Sequence, residues 1–241
     1  MKTENDKLRS TLTHGAAALR ISLPPGAIES FEAYFDFLEE RGKSVNLTSI
    51  TGVEDVTRLH FLDSIALLKA AEFKNARVID IGSGAGFPGV PLKLVEPSID
   101  LTLIDATGKR VAFLSELCAV LGIAANCLHA RAEDAAHEQN KREQYDVAVS
   151  RAVARLSLLC ELCLPFVRVG GVLVAMKGVD SAEEIEESQN ALSLLGSELL
   201  ECYDYSIPET DITHRAVIIR KIAPMPYEYP RRFAKMQKSP L

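Results

Sequence analysis

A glycine-rich turn in residues 78–89 contains the residue types that most directly suggest ligand chemistry. The segment reads Val-Ile-Asp-Ile-Gly-Ser-Gly-Ala-Gly-Phe-Pro-Gly, so a β-branched run with Asp80 leads into Gly82, Gly84 and Gly86. Glycine permits turns and close approaches that a Cβ atom would block. The pattern predicts the first strand and first loop of a Rossmann-like nucleotide site, with an ordinary tight turn as the alternative.

The loop departs from the dinucleotide fingerprint, which requires glycine at its first, third and sixth positions. Gly82 and Gly84 occupy the first and third positions, but Phe87 stands at the sixth and the third glycine comes one residue early. This departure disfavours a pyrophosphate cradle and favours S-adenosylmethionine, which has no phosphate. We therefore expect S-adenosylmethionine as the cofactor, bound against the loop glycines.

Further polar residues lie at the carboxyl ends of the predicted strands. In an open parallel sheet, ligands bind at this edge. Asp105 lies nineteen residues after Gly86, where an acid can bind ribose hydroxyls; a helix N-cap is the alternative. Ala132 and Glu133 follow the third strand, where a backbone N–H and a carboxylate can bind the adenine edge. Arg151 ends the fourth strand, facing the cleft, where it can bind a carboxylate or phosphate.

The elements that must position these residues form an α/β pattern. Seven strands are predicted, at 76–81, 101–105, 126–130, 145–150, 172–176, 199–205 and 216–222. The first five alternate with helices, which predicts a mostly parallel sheet with right-handed crossovers, and the last two should pair antiparallel. A Rossmann-like, seven-stranded sheet of this kind is typical of class I S-adenosylmethionine-dependent methyltransferases.

Helical patterns dominate the N-terminal region. Residues 30–40 predict an amphipathic helix with Ser30 as its N-cap, and residues 53–71 predict a second helix that carries His60 and Asp63. Residues 1–20 show only a weak pattern.

No linker follows these helices, so the chain divides into three parts. We expect an N-terminal helical extension packed on the core (1–73), a Rossmann-like methyltransferase core (74–223) and a basic C-terminal tail without periodicity (224–241).

Composition excludes several classes of protein. The chain has 241 residues, and no apolar run reaches the roughly 18 residues of a membrane span. The first residues lack the apolar core of a signal peptide, so we expect a cytoplasmic protein. We also expect the protein to act as a monomer. Five scattered cysteines argue against a disulfide framework, and Cys160 and Cys163 predict core packing with no metal site.

The charge distribution is uneven, although the net charge is −6. Residues 178–214 hold ten acids and no Lys or Arg, whereas residues 215–241 hold seven bases and one acid. An acidic protein can still present a basic face to phosphates, and a solvated surface is the alternative.

The chemistry of the target atom is narrowed by residues that the sequence lacks. Methylation of exocyclic amines usually needs an Asn/Asp-Pro-Pro-aromatic turn after the fourth strand, where this chain has Ser-Arg-Ala-Val at 150–153. Methylation of a pyrimidine carbon needs a cysteine nucleophile, but Cys160 and Cys163 lie on the helix beyond the end of the fourth strand. A ring nitrogen such as guanine N7 needs neither, because its lone pair is free and catalysis is mostly alignment.

Several motifs occur together in a fixed order along nearly the whole chain. They are Asn46-Leu47-Thr48, His60 with Asp63-Ser64, the loop from Asp80 to Gly89, Asp105 with Gly108-Lys109-Arg110, Arg131-Ala132-Glu133, Ser150-Arg151-Ala152, Met176-Lys177-Gly178 and Tyr229-Pro230-Arg231-Arg232. In this combination the chain resembles the bacterial small-subunit rRNA guanine-N7 methyltransferases, the RsmG or GidB family. The tail departs from the family pattern, with Ala234 and Met236 where Gly and Pro are usual.

The resemblance implies cofactor contacts at Gly82, Phe87, Ala132, Glu133 and Arg151. It also implies methylation of N7 of a guanine in the 530 loop of 16S rRNA, with the rRNA or the 30S subunit as partner. Arg151, at the junction of cofactor and substrate, is the candidate catalytic residue.

Six residues are expected to face the RNA. They are His60, Lys109, Arg110, Lys177, Arg215 and Arg231. Lys109 and Arg110 open a helix whose positive end adds to their attraction for phosphate, outside the glycine-loop pocket. A packed helix histidine is the alternative for His60, and a solvated first turn is the alternative for Lys109 and Arg110.

Two other functions remain open at this point. A small-molecule methyltransferase has the same fold, although the basic residues argue against it. A non-catalytic nucleotide-binding module associated with the ribosome would bind the cofactor without turnover.

Overall fold

A computed structural model describes residues 3–41, 47–151 and 153–241. Asn46 and Ala152, which belong to two of the motifs, lie outside these residues. Within the described residues, seven strands form one sheet in the order β3-β2-β1-β4-β5-β7-β6. The strands are β1 (Arg77–Ile81), β2 (Asp100–Asp105), β3 (Ala125–His129), β4 (Tyr145–Arg151), β5 (Val167–Gly178), β6 (Ser197–Ser206) and β7 (Thr213–Lys221).

The strand directions confirm the predicted fold class. β1 to β5 pair in parallel, while β7 lies antiparallel between β5 and β6. The helices of the core are α5 (Gly89–Val95), α6 (Gly108–Val120), α7 (Ala132–Ala135), α8 (Leu156–Cys163), α9 (Ala182–Glu187) and α10 (Gln189–Leu194). Cys160 and Cys163 are fully buried on α8, so the structure places both thiols in the core.

Both faces of the sheet are covered, because neighbouring residues of a strand point to opposite sides. Val78 packs into a buried cluster with the N-terminal helices, whereas Ile79 packs into a second cluster with α8 and α10. Leu103 and Ile104 of β2 divide in the same way. The glycine turn after β1 is therefore held between two filled layers.

The N-terminal region contains one more helix than the sequence predicted. α1 (Glu4–Ala18) begins with a capping box, in which Thr3 Oγ1 accepts from Asp6 N at 3.1 Å and Asp6 Oδ2 accepts from Thr3 N at 3.0 Å. Leu8 and Leu12 are fully buried on one face of α1. These two apolar positions, four residues apart, were the signal for a helix in this segment.

The second helix, α2 (Ala27–Arg41), buries an apolar stripe formed by Phe31, Tyr34, Phe35 and Leu38. The prediction that Ser30 caps this helix was wrong. Ser30 lies inside α2, and its hydroxyl donates to Gly26 O at 3.0 Å.

The predicted helix over residues 53–71 is present but irregular. It consists of α3 (Val53–Val56), a π-helical turn (Thr57–Leu62), α4 (Asp63–Ala66) and a short 3₁₀ turn (Leu67–Lys69). The π-helical turn carries His60, and π-helical turns of this kind occur frequently at functional sites.

The C-terminal tail contains regular structure, although its sequence shows no periodicity. The tail forms a short helix, α11 (Phe233–Lys238), and its Met236 is fully buried beside α8. Apolar packing orders the tail, although its sequence is short and rich in charge. No described helix is long and apolar enough to cross a membrane.

Candidate active site

A cavity of about 470 Å³ opens at the carboxyl ends of the first four strands. All seven residues predicted to bind the cofactor line it, namely Gly82, Gly84, Phe87, Asp105, Ala132, Glu133 and Arg151. His60 and Arg110, predicted to face RNA, line it as well. The placement of Arg110 corrects the expectation that it lies outside the pocket. The volume lies within the usual range for small-molecule sites.

The glycine loop forms the floor of this cavity. Gly82 and Gly84 have φ values of +73° and +57°, in the left-handed region that favours glycine. A Cβ atom on Gly82 would lie 2.6 Å from Val153 Cγ2, whereas one on Gly84 would have only Gly82 O nearby, at 3.9 Å. Gly84 therefore leaves open space beside the backbone.

The carboxylate of Asp105 fixes the loop. It is buried, and its Oδ2 accepts from Gly84 N at 3.1 Å while its Oδ1 accepts from Thr107 N at 2.8 Å. Arg110 Nη1 lies 3.5 Å from Asp105 Oδ2. The N-cap of α6 is Thr107, so Asp105 is not itself the cap. Its proposed contact with ribose stays a prediction.

Tyr34 of α2 also supports the loop. Its hydroxyl donates to Ala85 O at 2.7 Å, and its ring stacks on Phe87 with centroids 5.3 Å apart. The sequence analysis missed this role, because a helix aromatic gives no local sign of a contact fifty-one positions away.

Asp80 lies beneath the loop and is fully buried. Its Oδ2 accepts from Gly89 N at 2.8 Å, while its Oδ1 has no hydrogen-bond partner among the described residues. Burial raises the pKa of this carboxyl to about 7. The fold thus buries a carboxyl oxygen without a hydrogen-bond partner among the described residues, which is energetically unfavourable, directly beneath the glycine loop.

An aromatic wall closes the other end of the cavity. The His60 ring stacks on Phe87 with centroids 4.5 Å apart, and the guanidinium carbon of Arg151 lies 4.9 Å from the Phe87 centroid. Thr48 Oγ1 lies 2.8 Å from His60 Nε2. Burial and the charge of Arg151 lower the pKa of His60 to about 4, so its ring is neutral at pH 7.

A buried carboxylate, Asp63, connects Arg151 to the far strands. Arg151 Nη1 lies 3.4 Å from Asp63 Oδ2 and donates to Leu59 O at 3.2 Å. Asp63 Oδ1 accepts from Tyr205 Oη at 2.8 Å and from His214 Nδ1 at 2.9 Å. The hydrogen bond to Asp63 raises the pKa of His214. Tyr205 and His214 were missed because β6 and β7 are remote in sequence.

The other predicted RNA-facing residues lie outside the cavity. Lys109 is exposed on the first turn of α6. Lys177 Nζ donates to Glu184 Oε1 at 2.7 Å, and Arg215 forms two bonds with Asp204 at 2.6 and 2.8 Å. Arg231 is likewise paired, with Glu161 of α8. The RNA contacts of all four residues stay predictions, and the ion pairs give Lys177, Arg215 and Arg231 a structural role.

Comparison with known proteins agrees with this architecture. The family model for rRNA small subunit methyltransferase G (GidB) matches residues 27–213. The chain belongs to this family. Two of its relatives are named Ribosomal RNA small subunit methyltransferase G. The protein from Alkaliphilus oremlandii is 42% identical, and the match covers 98% of this chain and 99% of that protein. The protein from Clostridium tetani is 44% identical, and the match covers 88% of this chain and 90% of that protein.

Solved structures show the fold without fixing the chemistry. A SAM dependent methyltransferase from Aquifex aeolicus is similar with a TM-score of 0.51 and 17% identity, over 69% of this chain and 94% of that one. A branched-chain polyamine synthase mutein from Thermus thermophilus is similar with a TM-score of 0.56 and 13% identity, and the match covers 80% of this chain and 63% of that one. Membership in the small subunit methyltransferase G family, and not the fold, therefore points to the substrate.

The open space at Gly84 generates the first prediction. Gly84→Val should abolish binding of S-adenosylhomocysteine, the demethylated cofactor, because the side chain would enter the cavity. Gly122→Val is the matched control, since Gly122 has a φ of +63° and nothing within 4 Å of an added Cβ, away from the cavity. Calorimetry should show binding by the control and none by Gly84→Val; equal affinities would contradict the assignment.

The contact between His214 and Asp63 generates a pH prediction. Because the folded-state pKa of His214 lies above its unfolded value, its stabilisation is complete below the unfolded pKa and disappears as pH rises through the folded one. The His214→Gln variant keeps a hydrogen-bond donor at this position, but its side chain does not titrate. The difference in unfolding free energy between the parent and this variant should therefore be largest below the ordinary histidine pKa of about 6.5 and shrink as the pH rises above it, as measured by denaturant titrations. A constant difference would exclude the ionic contribution.

Proposed function

We propose that the protein transfers the methyl group of S-adenosylmethionine to N7 of guanine 527, in the 530 loop of 16S rRNA. The observation that carries the proposal is the near-complete match to relatives with this family name, 42% identical over 98% of the chain. We further propose that the enzyme acts in the cytoplasm as a monomer, on the 16S rRNA or the 30S subunit.

The residues of the cavity fit S-adenosylmethionine. The cradle beside Gly84 has no side chain, Asp105 offers a buried carboxylate for ribose hydroxyls, and Ala132 and Glu133 offer a backbone N–H and a carboxylate for adenine. When bound, the cofactor supplies an electrophilic methyl group on a sulfonium centre.

The neighbouring side chains suit attack by a ring nitrogen. Guanine N7 carries a free lone pair and loses no proton before attack, so the protein must mainly align it. Arg151 lies over Phe87 and is held by Asp63, which gives the cavity a fixed cation beside an aromatic face. No cysteine is among the described residues that line the cavity. Burial raises the pKa of the Cys160 thiol, which disfavours the thiolate that a nucleophile needs.

Methyl transfer to defined RNA tests the proposal. Radiolabelled S-adenosylmethionine should label 16S rRNA from a strain that lacks this enzyme, offered as naked rRNA and as 30S subunits. Mapping should place the label on guanine N7 in the 530 loop. Cofactor binding without transfer to either substrate would instead support the non-catalytic module, and label on small molecules alone would support the small-molecule enzyme.

Arg151 should contribute to turnover. Arg151→Ala should reduce turnover of rRNA at least about tenfold, equivalent to about 1.4 kcal/mol of transition-state stabilisation, with an unchanged circular dichroism spectrum. Arg168→Ala is the matched control, because Arg168 pairs with Asp146 at the opposite end of the sheet. Equal turnover in the two variants would leave Arg151 a purely structural role.

Lys109 should attract RNA through charge alone. Lys109→Ala should weaken RNA binding and flatten the dependence of log affinity on log salt by somewhat under one unit, with no change in the guanine modified. Lys74→Ala, which removes an exposed lysine before β1, should leave the slope unchanged. RNA affinity at several salt concentrations decides this, and identical slopes would refute the electrostatic role.

A further inference from the structure

The C-terminal tail is fastened to the core by polar contacts at several points. Arg231 donates to Glu161 through its backbone N, Nε and Nη2, at 2.8, 2.8 and 2.6 Å. Glu161 is 1% exposed, so this charged pair is largely shielded from water. Arg142 holds the preceding segment, donating to Tyr229 O at 2.8 Å and Met225 O at 3.2 Å.

This anchoring brings Phe233 to the cofactor cavity. Phe233 follows Arg231 by two residues and lines the cavity together with Leu162, Ala132 and Glu133. A shallower depression outside the cavity is also lined by Phe233 and Glu133, which places the two side chains at the same end. Phe233 packs against the buried cluster around α8, and this packing fixes the position of its side chain.

We propose that Phe233 packs against the adenine of bound S-adenosylmethionine, so that the C-terminal tail forms a wall of the cofactor site. The proposal rests on the cofactor named in the proposed function. The Arg231–Glu161 pair is a positioning element, because it sets the direction in which the chain enters α11. The role differs from that expected of a basic arm, which would contact only RNA phosphates.

Adenine binding explains why an aromatic residue stands at this position. A base presents two apolar faces and a polar edge, so its site needs flat apolar surface beside hydrogen-bonding groups. Phe233 and Leu162 supply apolar surface, while Ala132 N–H and the Glu133 carboxylate supply polar groups. Arg232, next to Phe233, is exposed and remains available to RNA.

Fluorescence tests the contact directly, since the chain contains no tryptophan. Phe233→Trp introduces a single tryptophan at the proposed contact, and Tyr227→Trp introduces one on the same tail at a side chain that is 71% exposed. Titration with S-adenosylhomocysteine should change the emission of the Phe233→Trp protein saturably and leave that of the control unchanged. Unchanged emission in both proteins, with calorimetric binding intact, would overturn the proposal.

Affinity provides a second test that does not depend on the fluorophore. Phe233→Ala should weaken S-adenosylhomocysteine binding at least about fivefold, and Phe233→Tyr should retain it, because aromatic packing on a base is worth ~1 kcal/mol or more. Arg231→Ala should weaken binding by a similar factor, while Arg232→Ala should have no effect on it. An unaltered affinity in Phe233→Ala, with reduced RNA binding, would make the tail an RNA arm only.

The outcomes separate this proposal from the proposed function. If the parent protein binds S-adenosylhomocysteine but methylates neither rRNA nor 30S subunits, the rRNA activity is refuted and the Phe233 contact is still measured. If the parent methylates rRNA and Phe233→Ala binds the cofactor normally, only the tail proposal is refuted.

Discussion

The buried carboxylate of Asp63 joins parts of the chain that are far apart in sequence. It accepts hydrogen bonds from Tyr205 of β6 and His214 of β7, and it lies 3.4 Å from Arg151 of β4. Removing one partner of a buried charged pair is usually more costly than the pair is stabilising, because the other charge is left without compensation. The position of Arg151, and with it the shape of the cavity, therefore depends on this one carboxylate.

The same arrangement shifts the pKa values of two histidines in opposite directions. Burial and the neighbouring Arg151 lower the pKa of His60, whereas Asp63 raises the pKa of His214. Near neutral pH the cavity wall is thus an uncharged imidazole stacked on Phe87, and the extra positive charge is favoured at the sheet edge. An uncharged ring at this wall adds no repulsion toward a sulfonium cofactor and leaves Arg151 as the cation beside Phe87.

Short-range patterns predicted most of the fold and the residues from the strand ends that line the cavity. The glycine turn, Asp105 and Arg151 could be found because strand endings mark the ligand edge of a parallel sheet. The helix α1 was missed although its capping box was visible at Thr3 and Asp6. Contacts between distant elements, such as those of Tyr34, have no local signal. Counting charges also could not show that Arg231 already has a partner in Glu161.

The π-helical turn at Thr57–Leu62 determines how this region responds to a change in length. A π-helical turn holds about one residue more than the α-helical turn it replaces. Deleting one residue there would therefore restore an α-helical turn and leave the residues on either side facing nearly the same directions. Asp63 would keep its alignment with β4, β6 and β7, whereas the residues within the turn, His60 among them, would face new directions. Single-residue deletions within this turn should therefore preserve the fold but alter the wall of the cavity.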